Sequence, residues 1–148
     1  MGQSLGENDH KKAKIMAWES SKLAMLVTGI MGMVFFFAPR MIIGIFTTDM
    51  IVITSAAVIL RVIGPIQPIG GLMFVMRGAL AGAGDTKSIM RIGLIGMWLV
   101  RVPFAYLFAV TIDMGVLGAW SAMALHLTVA SLMLLSRFKS GEWTTIKV

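Results

Sequence analysis

Two arginines lie inside long apolar stretches of this sequence, where a charged side chain requires an explanation. Arg61 and Arg101 each have mostly apolar neighbours on both sides. A charge at such depth costs roughly 2.5 to 3.5 kcal/mol on insertion scales, so these residues commonly serve a transport pathway. The structural alternative is a guanidinium that binds carbonyls freed by Pro65 or Pro103, or one that extends to the headgroups. No acidic residue lies at matching depth, and we expect the partners outside this chain.

The midpoint of the second apolar stretch is polar and irregular. Gln67 lies between Pro65 and Pro68, and backbone of this kind lines cavities in membrane transporters. Met73 and Trp98 could form an adaptable binding surface for planar cations, because methionine repacks readily and aromatic faces attract positive charge. Gln67, Met73 and Trp98 therefore join the two arginines as candidates for a substrate pathway. The alternative is a simple proline kink, with most of the 14 methionines in packing roles.

Histidine and the acidic residues form no catalytic set. His126 has no His, Asp or Glu three or four residues away, which favours a packed histidine over a proton carrier. The sequence has no Ser-His-Asp, His-x-x-His or paired-carboxylate arrangement and contains no cysteine. We therefore expect no enzyme, no catalytic residue, no metal site and no cofactor.

The amino-acid composition indicates a membrane environment for the chain. Of the 148 residues, 57% are hydrophobic and 14% are charged, an apolar share above that of soluble domains. A helix needs about 20 apolar residues to cross a bilayer. The sequence predicts an all-α integral membrane protein with four transmembrane spans, at about residues 15–38, 50–82, 88–112 and 116–135.

Lysine and arginine flank the predicted spans. They cluster before the first span, around the turn at Lys87 and after the fourth span, whereas the opposite loops have only Arg40. Cytoplasmic loops carry such an excess, so we expect a plasma-membrane protein with both termini in the cytoplasm. The tail after the fourth span is expected to leave the membrane with the amphipathic Trp143 at its edge. The net charge of +6 forms no stripe along one helix, and nucleic-acid binding is not expected.

Glycine and proline predict where the helices bend and end. GAGDTK fits a helix C-cap followed by an aspartate N-cap, and its spacing does not fit a phosphate-binding loop. Prolines inside the second and third spans predict kinks. The residues expected at hinges and turns are Pro65, Pro68, Pro103, Gly82, Gly84 and Asp85.

Small residues recur at the spacing used for close helix packing. Such pairs let two backbones approach in a membrane bundle, but they carry no information about a transported molecule. The pairs are Gly29 with Gly32, Gly78 with Gly82, Ala79 with Ala83, Gly93 with Gly96, and Gly115 with Gly118.

Four segments are spread along the chain as successive landmarks: GQSLGENDHKKA, the QP in IGPIQPIGGLMFVMRGALAGAGDTK, WLVRVPFAYLF and GVLGAW. Together they resemble the second half of the multidrug and toxic compound extrusion (MATE) family over nearly the whole chain. RGALAGAGDTK is the most specific part, since the family carries a similar Gly-Ala-Gly-Asp-Thr turn between its tenth and eleventh helices. The resemblance implies that residues 1–148 correspond to helices nine to twelve of a twelve-helix bundle.

The resemblance also implies a function. Family members export small cationic and amphiphilic drugs by alternating access, driven by sodium or proton entry. Relative to that pattern, this chain lacks the first half and has no acidic residue inside its second span, where some members place a coupling carboxylate. The expectation is part of an antiporter, inactive alone, whose partners are the lipid bilayer, the remaining half of the transporter and the drugs. The Na⁺ or H⁺ site is expected outside this chain.

Two other functions remain open. A flippase for lipid-linked oligosaccharides in the related superfamily would use intramembrane arginines to hold phosphate groups. Arg61 and Arg101 favour this function, whereas the GAGDT turn does not. A non-transporting membrane subunit would instead pack on a partner through its glycine faces.

Overall fold

Four long helical segments make up the described part of the chain. The computed structural model describes residues 10–145, and it shows no strand among them. This confirms the prediction of an all-α chain with four spans. The segments that are long and apolar enough to cross a membrane are Lys11–Phe37, Met50–Gly82, Thr86–Thr111 and Gly115–Ser140.

The second and third spans are composite, whereas the first and fourth are continuous. A 3₁₀ turn divides the second span, and two π-helical segments widen the third. The helices are α1 His10–Phe37, α2 Pro39–Gly44, α3 Met50–Ile63, α4 Gln67–Gly82, α5 Thr86–Leu94, α6 Val102–Tyr106 and α7 Gly115–Ser140. The other segments are the 3₁₀ turns Gly64–Ile66 and Glu142–Thr145 and the π-helical segments Ile95–Arg101 and Leu107–Thr111.

Aspartates begin two of the helices, α3 and α5. The Asp49 carboxylate accepts the N–H of Ile51 at 2.8 Å at the start of α3. At the start of α5, the Asp85 carboxylate accepts the Ser88 N–H at 3.4 Å. Each carboxylate satisfies a backbone donor that has no partner within the first turn.

The chain reverses between α4 and α5 through a glycine in the left-handed region. Gly84 has a φ of +80°, which a residue with a Cβ adopts at a cost. The Asp85 N–H donates to the Leu80 carbonyl at 2.9 Å and the Gly84 N–H donates to the Ala81 carbonyl at 3.0 Å. These are the two hydrogen bonds of a Schellman motif, so Gly84 is the residue that the turn requires.

The spans are arranged in the order first, second, fourth and third. Helix α4 packs mainly against α1 on one side and α7 on the other, and α7 also packs against the third span. Small residues set these crossings. A Cβ added to Gly71 would lie 2.5 Å from the Thr28 Oγ1 of α1, and one added to Gly118 would lie 2.5 Å from the Phe108 carbonyl carbon.

The buried core is concentrated at one end of the bundle. It joins Ala13 and Ala17 at the start of α1 to Leu80 at the end of α4 and Phe138 near the end of α7. Trp143 completes it, because this side chain is only 1% exposed and stacks on Phe138. Its expected position at the membrane edge stays a prediction, and the structure adds that the side chain is buried against the bundle. The indole N–H donates to the Phe138 carbonyl at 2.8 Å, so the tail folds back onto the bundle.

Most of the apolar surface of the bundle faces outward. Between 6% and 28% of the most apolar stretch of each span is buried inside the chain. Outward-facing side chains such as Leu26 and Leu99 are largely exposed. A water-soluble protein does not expose apolar surface on this scale, and the chain is a multi-pass membrane protein.

Candidate functional site

The second span breaks at its midpoint. Pro65 and Pro68 have no N–H to donate to the carbonyls one turn earlier, and the helix tightens into the 3₁₀ turn Gly64–Ile66, which contains Pro65. The Gln67 N–H donates to the Gly64 carbonyl at the end of this turn. The prolines therefore create the irregular backbone that was predicted here.

A close backbone crossing lies at the same level. A Cβ added to Gly64 would lie 2.7 Å from the Gly32 carbonyl oxygen, and a Cβ added to Gly32 would clash with the Gly64 carbonyl and approach the Gln67 Cβ to 3.1 Å. Gln67 is half-buried at this crossing. The break is thus held against α1 by two glycine backbones, and the Gln67 side chain is the polar group beside it.

Arg61 lies on the last turn of α3, before the break. Its side chain is exposed on the surface of the chain. Among residues 10–145 it makes no ion pair and no hydrogen bond. Among the described residues, Arg61 therefore presents a charge without a partner next to the break.

The third span widens on either side of Pro103. Within the first π-helical segment the Val102 N–H donates to the Met97 carbonyl, and at the end of the second the Ile112 N–H donates to the Leu107 carbonyl at 2.9 Å. Both bonds span five residues, the π-helical spacing. π-helical turns occur frequently at functional sites.

Arg101 is placed where the first of these π-helical segments ends. Its side chain is half-buried, and a guanidinium nitrogen donates to the Met123 sulfur of α7 at 3.9 Å. A thioether is a weak acceptor, so most of the guanidinium donors have no partner among the described residues. Arg101 is oriented toward the fourth span but retains donors for another group.

A small cavity connects the second, third and fourth spans. It has a volume of about 60 Å³ and includes Met73, Arg77 and His126 in its lining. The His126 Nδ1 is buried and has no hydrogen-bond partner within residues 10–145. The prediction of a packed histidine agrees with this position, since the ring lies directly against Gly96 of the third span.

Replacing Gly96 by alanine is expected to lower the free energy of unfolding by about 1 to 2 kcal/mol through overpacking. The new Cβ would lie 2.7 Å from the His126 Cε1 and 2.8 Å from its Nδ1, so the ring would have to rotate. Denaturant unfolding in a mild detergent measures the change. Gly93→Ala is the control, because nothing lies within 4 Å of a Cβ at Gly93.

The double variant tests whether His126 is the cause of that loss. Adding His126→Ala removes the ring that the new methyl group meets, so the two changes together are expected to cost less than their sum. An additive result, or an equal loss for Gly93→Ala, would contradict the contact.

The structure does not gather all five pathway candidates into one pocket. Met73 lines the cavity beside His126, Gln67 lies at the α1 crossing, and Arg101 faces the fourth span. Trp98 is 64% exposed on the outer surface of the third span. The candidates therefore lie on separate faces of this four-span unit. A substrate pathway that includes the outward-facing candidates would need further helices outside these four spans.

An ion-pair cluster at the core end was not predicted from the sequence. The Arg137 Nε donates to the Asp85 carboxylate at 2.8 Å, and an Nη of the same guanidinium donates to Glu142. Asp85 is only 3% exposed. Burial alone would raise the pKa of Asp85, but hydrogen bonds from Ser88 and Arg137 and the charge of Arg137 hold that pKa below its ordinary value. The cluster ties the α4–α5 turn to the end of the fourth span.

Comparison with known proteins adds an independent finding. A family model described as MatE matches residues 1–107. "Probable multidrug resistance protein NorM" of Thermotoga maritima is 33% identical over 140 residues, which cover 94% of this chain and 30% of that relative. The protein of the same name from Mannheimia succiniciproducens is 33% identical over 141 residues, or 93% of this chain and 30% of the relative.

A further relative has a less specific name. "Uncharacterized transporter YisQ" of Bacillus subtilis is 26% identical over 102 residues, which cover 69% of this chain and 22% of that protein. No solved structure matches the chain. The chain thus spans about 30% of the length of the two more similar relatives.

Proposed function

The chain belongs to the MatE family of membrane transporters, and from that premise we propose that its four spans form part of a multidrug efflux antiporter. The antiporter exports small cationic or amphiphilic drugs in exchange for entering protons or sodium ions. Two relatives that align with over nine-tenths of the chain are named as multidrug resistance proteins. The family also confirms the expectation of a transporter and not an enzyme.

The proposed transporter needs more helices than these four. Relatives of this chain are about three times as long as the region that matches it, and alternating access requires two bundles that move against each other. The outward-facing apolar surfaces of the four spans offer area for such helices as well as for lipid. We propose that the remaining part of the transporter packs there and carries the coupling-ion site.

The irregular midpoints of the second and third spans support a transport role. The 3₁₀ turn before Gln67 and the π-helical segment before Val102 interrupt the two helices within the membrane-spanning region. Non-helical backbone at that depth is tolerated where it is buried in protein or lines a cavity. In the proposed mechanism these two breaks allow the halves of each span to tilt as the pathway opens.

Arg101 is the proposed pathway residue with the best structural support. Its guanidinium is half-buried, and the thioether of Met123 is its only hydrogen-bond partner among residues 10–145. Arg61, by contrast, is exposed on the surface of the unit. We propose that both arginines face groups of the missing helices or of the cargo, with Gln67, Met73 and Trp98 on the remaining pathway surfaces.

The distribution of charge supports the proposed orientation. Lys14, Lys87 and Arg137 lie at the ends of spans that meet at the core end of the bundle. Basic residues mark the cytoplasmic side of membrane proteins. We propose that this end faces the cytoplasm of the plasma membrane and that both termini lie there.

A flippase for lipid-linked oligosaccharides is the second transport candidate. Its structural support is Arg61 and Arg101, which form no ion pair among residues 10–145, since a guanidinium binds phosphate well. Two relatives of this chain are named for multidrug resistance, which favours drug export.

Efflux measurements on the complete reading frame that contains this chain test the proposal. Expression in a host without major drug pumps is expected to lower the accumulation of flat cationic dyes, and dissipating the ion gradient is expected to abolish the effect. Arg101→Ala is expected to reduce initial efflux about tenfold at equal expression, the scale of one lost hydrogen bond to a charged group. Arg101→Lys keeps the charge and is expected to retain part of the activity.

Arg40→Ala is the matched control. Arg40 is exposed in the short helix α2, and among the described residues it makes no ion pair and no hydrogen bond. Efflux by Arg40→Ala should equal that of the unaltered protein. Unchanged dye accumulation on expression of the complete frame would overturn the proposed function, and unchanged efflux by Arg101→Ala would overturn only the role of Arg101.

A further inference from the structure

A basic groove lies between the first and fourth spans at the core end of the bundle. Lys14 and Trp18 of α1 line one side, and Phe138 and Lys139 of α7 line the other. Its volume is about 280 Å³. The two helices do not pack extensively on each other, and the groove occupies the space that separates them.

The tail of the chain makes one wall of this groove rigid. Trp143 stacks on Phe138 with ring centroids 5.2 Å apart and planes within 9°, and its indole N–H is bonded to the Phe138 carbonyl. The Lys14 ammonium lies 5.9 Å from the Trp143 ring centroid. The ring face attracts the ammonium at this distance, and the contact uses none of its N–H donors. A lysine packed beside the tail therefore lies at the groove.

No described carboxylate lines the groove. Asp85 and Glu142, the acidic residues nearest this end of α7, bind Arg137, and Glu19 of α1 binds Lys22 at 2.7 Å. Neither Lys14 nor Lys139 forms an ion pair among residues 10–145. Among residues 10–145, the groove therefore combines two lysines without an ion-pair partner and two aromatic side chains.

We propose that this groove binds the phosphate of an anionic phospholipid. The lysines supply the charge, because basic pockets between membrane helices bind anionic headgroups. Trp18 and Phe138 supply an aromatic wall, and tryptophan is enriched at the membrane–water interface, where lipid headgroups lie. The helices on either side carry exposed apolar residues, including Ile15 and Leu132, and the acyl chains lie along these surfaces. A free phosphate ion gains nothing from the apolar walls, so the lipid is the proposed ligand.

Native mass spectrometry of the full chain in mild detergent tests this site. We expect one phosphatidylglycerol to remain bound under conditions that remove phosphatidylcholine. Lys14→Gln and Lys139→Gln are each expected to weaken phosphatidylglycerol binding about fivefold, and about 25-fold together, as expected for one basic contact each. Circular dichroism establishes that each variant retains its helix content.

Lys87→Gln is the matched control, because Lys87 lies at the same end of the bundle, at the start of α5, but does not line the groove. Its phosphatidylglycerol affinity should stay unchanged. Equal retention of the two lipids, or equal weakening of phosphatidylglycerol binding by Lys87→Gln, would overturn the proposal. Displacement of the lipid by 10 mM inorganic phosphate would also overturn it, because that concentration is about a hundredfold above the dissociation constant of a site that binds free phosphate at about 0.1 mM. None of these results depends on drug export, so the site and the proposed function fail separately.

Discussion

Gly32→Ala is expected to lower the free energy of unfolding by about 2 to 3 kcal/mol, the upper part of the range for overpacking. The added methyl group would overlap the Gly64 carbonyl and press on the Gln67 side chain. A backbone carbonyl cannot rotate away as a side chain does. The first span would have to move away from the break in the second, so the loss should exceed that of Gly96→Ala, where a histidine ring can rotate.

The glycines of the chain supply a graded control series for this prediction. Gly29→Ala would place its Cβ 3.5 Å from the Pro68 Cγ, which is ordinary contact, and Gly78→Ala would meet nothing within 4 Å. We expect Gly29→Ala to change stability little. Gly78→Ala should stabilise the chain by about 0.5 to 1 kcal/mol through helix propensity. Denaturant unfolding in mild detergent measures all three, and a loss for Gly32→Ala no larger than that for Gly29→Ala would contradict the crossing.

This series also shows where the glycine pattern misleads. The spacing of Gly78 with Gly82 and of Gly93 with Gly96 predicted close packing for every member. Gly96 packs on His126, but Gly78 and Gly93 have open space where a Cβ would stand. Spacing identifies a helix face, whereas contact depends on the rotation of each helix about its axis. That rotation follows from the whole bundle and not from local sequence.

Features governed by local chemistry were predictable. Apolar runs defined the four spans, Asp85 began α5 as expected, and the paired prolines produced the break before Gln67. Each depends on residues within one or two helical turns. The π-helical segments around Pro103 were only partly predictable, because a proline indicates a kink without specifying whether the helix tightens or widens.

Contacts between distant segments were not predictable. The sequence suggested Asp85 as a cap and a basic residue such as Arg137 as a marker of topology, but with a separation of 52 positions nothing in the sequence indicated that the two side chains form an ion pair. The available signal was weak: both charges belong to the same predicted end of the bundle. The burial of Trp143 was missed for a related reason, since this residue shares a core with Ala13 and Ala17 near the other end of the chain.

Arg137→Met is expected to destabilise the chain by about 2 to 3 kcal/mol at pH 7, near the range for breaking a buried ion pair by removing one partner. The Asp85 carboxylate, only 3% exposed, would keep its bond from Ser88 but lose the guanidinium. Asp85→Asn retains a capping side chain and removes the charge that needs a partner. Adding it to Arg137→Met should therefore recover part of the loss. Lys22→Met breaks the exposed pair with Glu19 and should change stability by less than about 1 kcal/mol.

The pH dependence distinguishes this ion pair from a merely packed arginine. Because the pKa of Asp85 is lower in the folded chain than in the unfolded chain, the ion pair stabilises the fold fully above the unfolded pKa, and this contribution disappears as pH falls through the folded pKa. Without Arg137, burial favours the neutral acid and raises the pKa of Asp85. The difference in unfolding free energy between the unaltered chain and Arg137→Met should decrease as pH falls from 7 to 4. It should decrease further below pH 4. A gap that stays constant over that interval would show that Arg137 acts through its methylene packing and not through its charge.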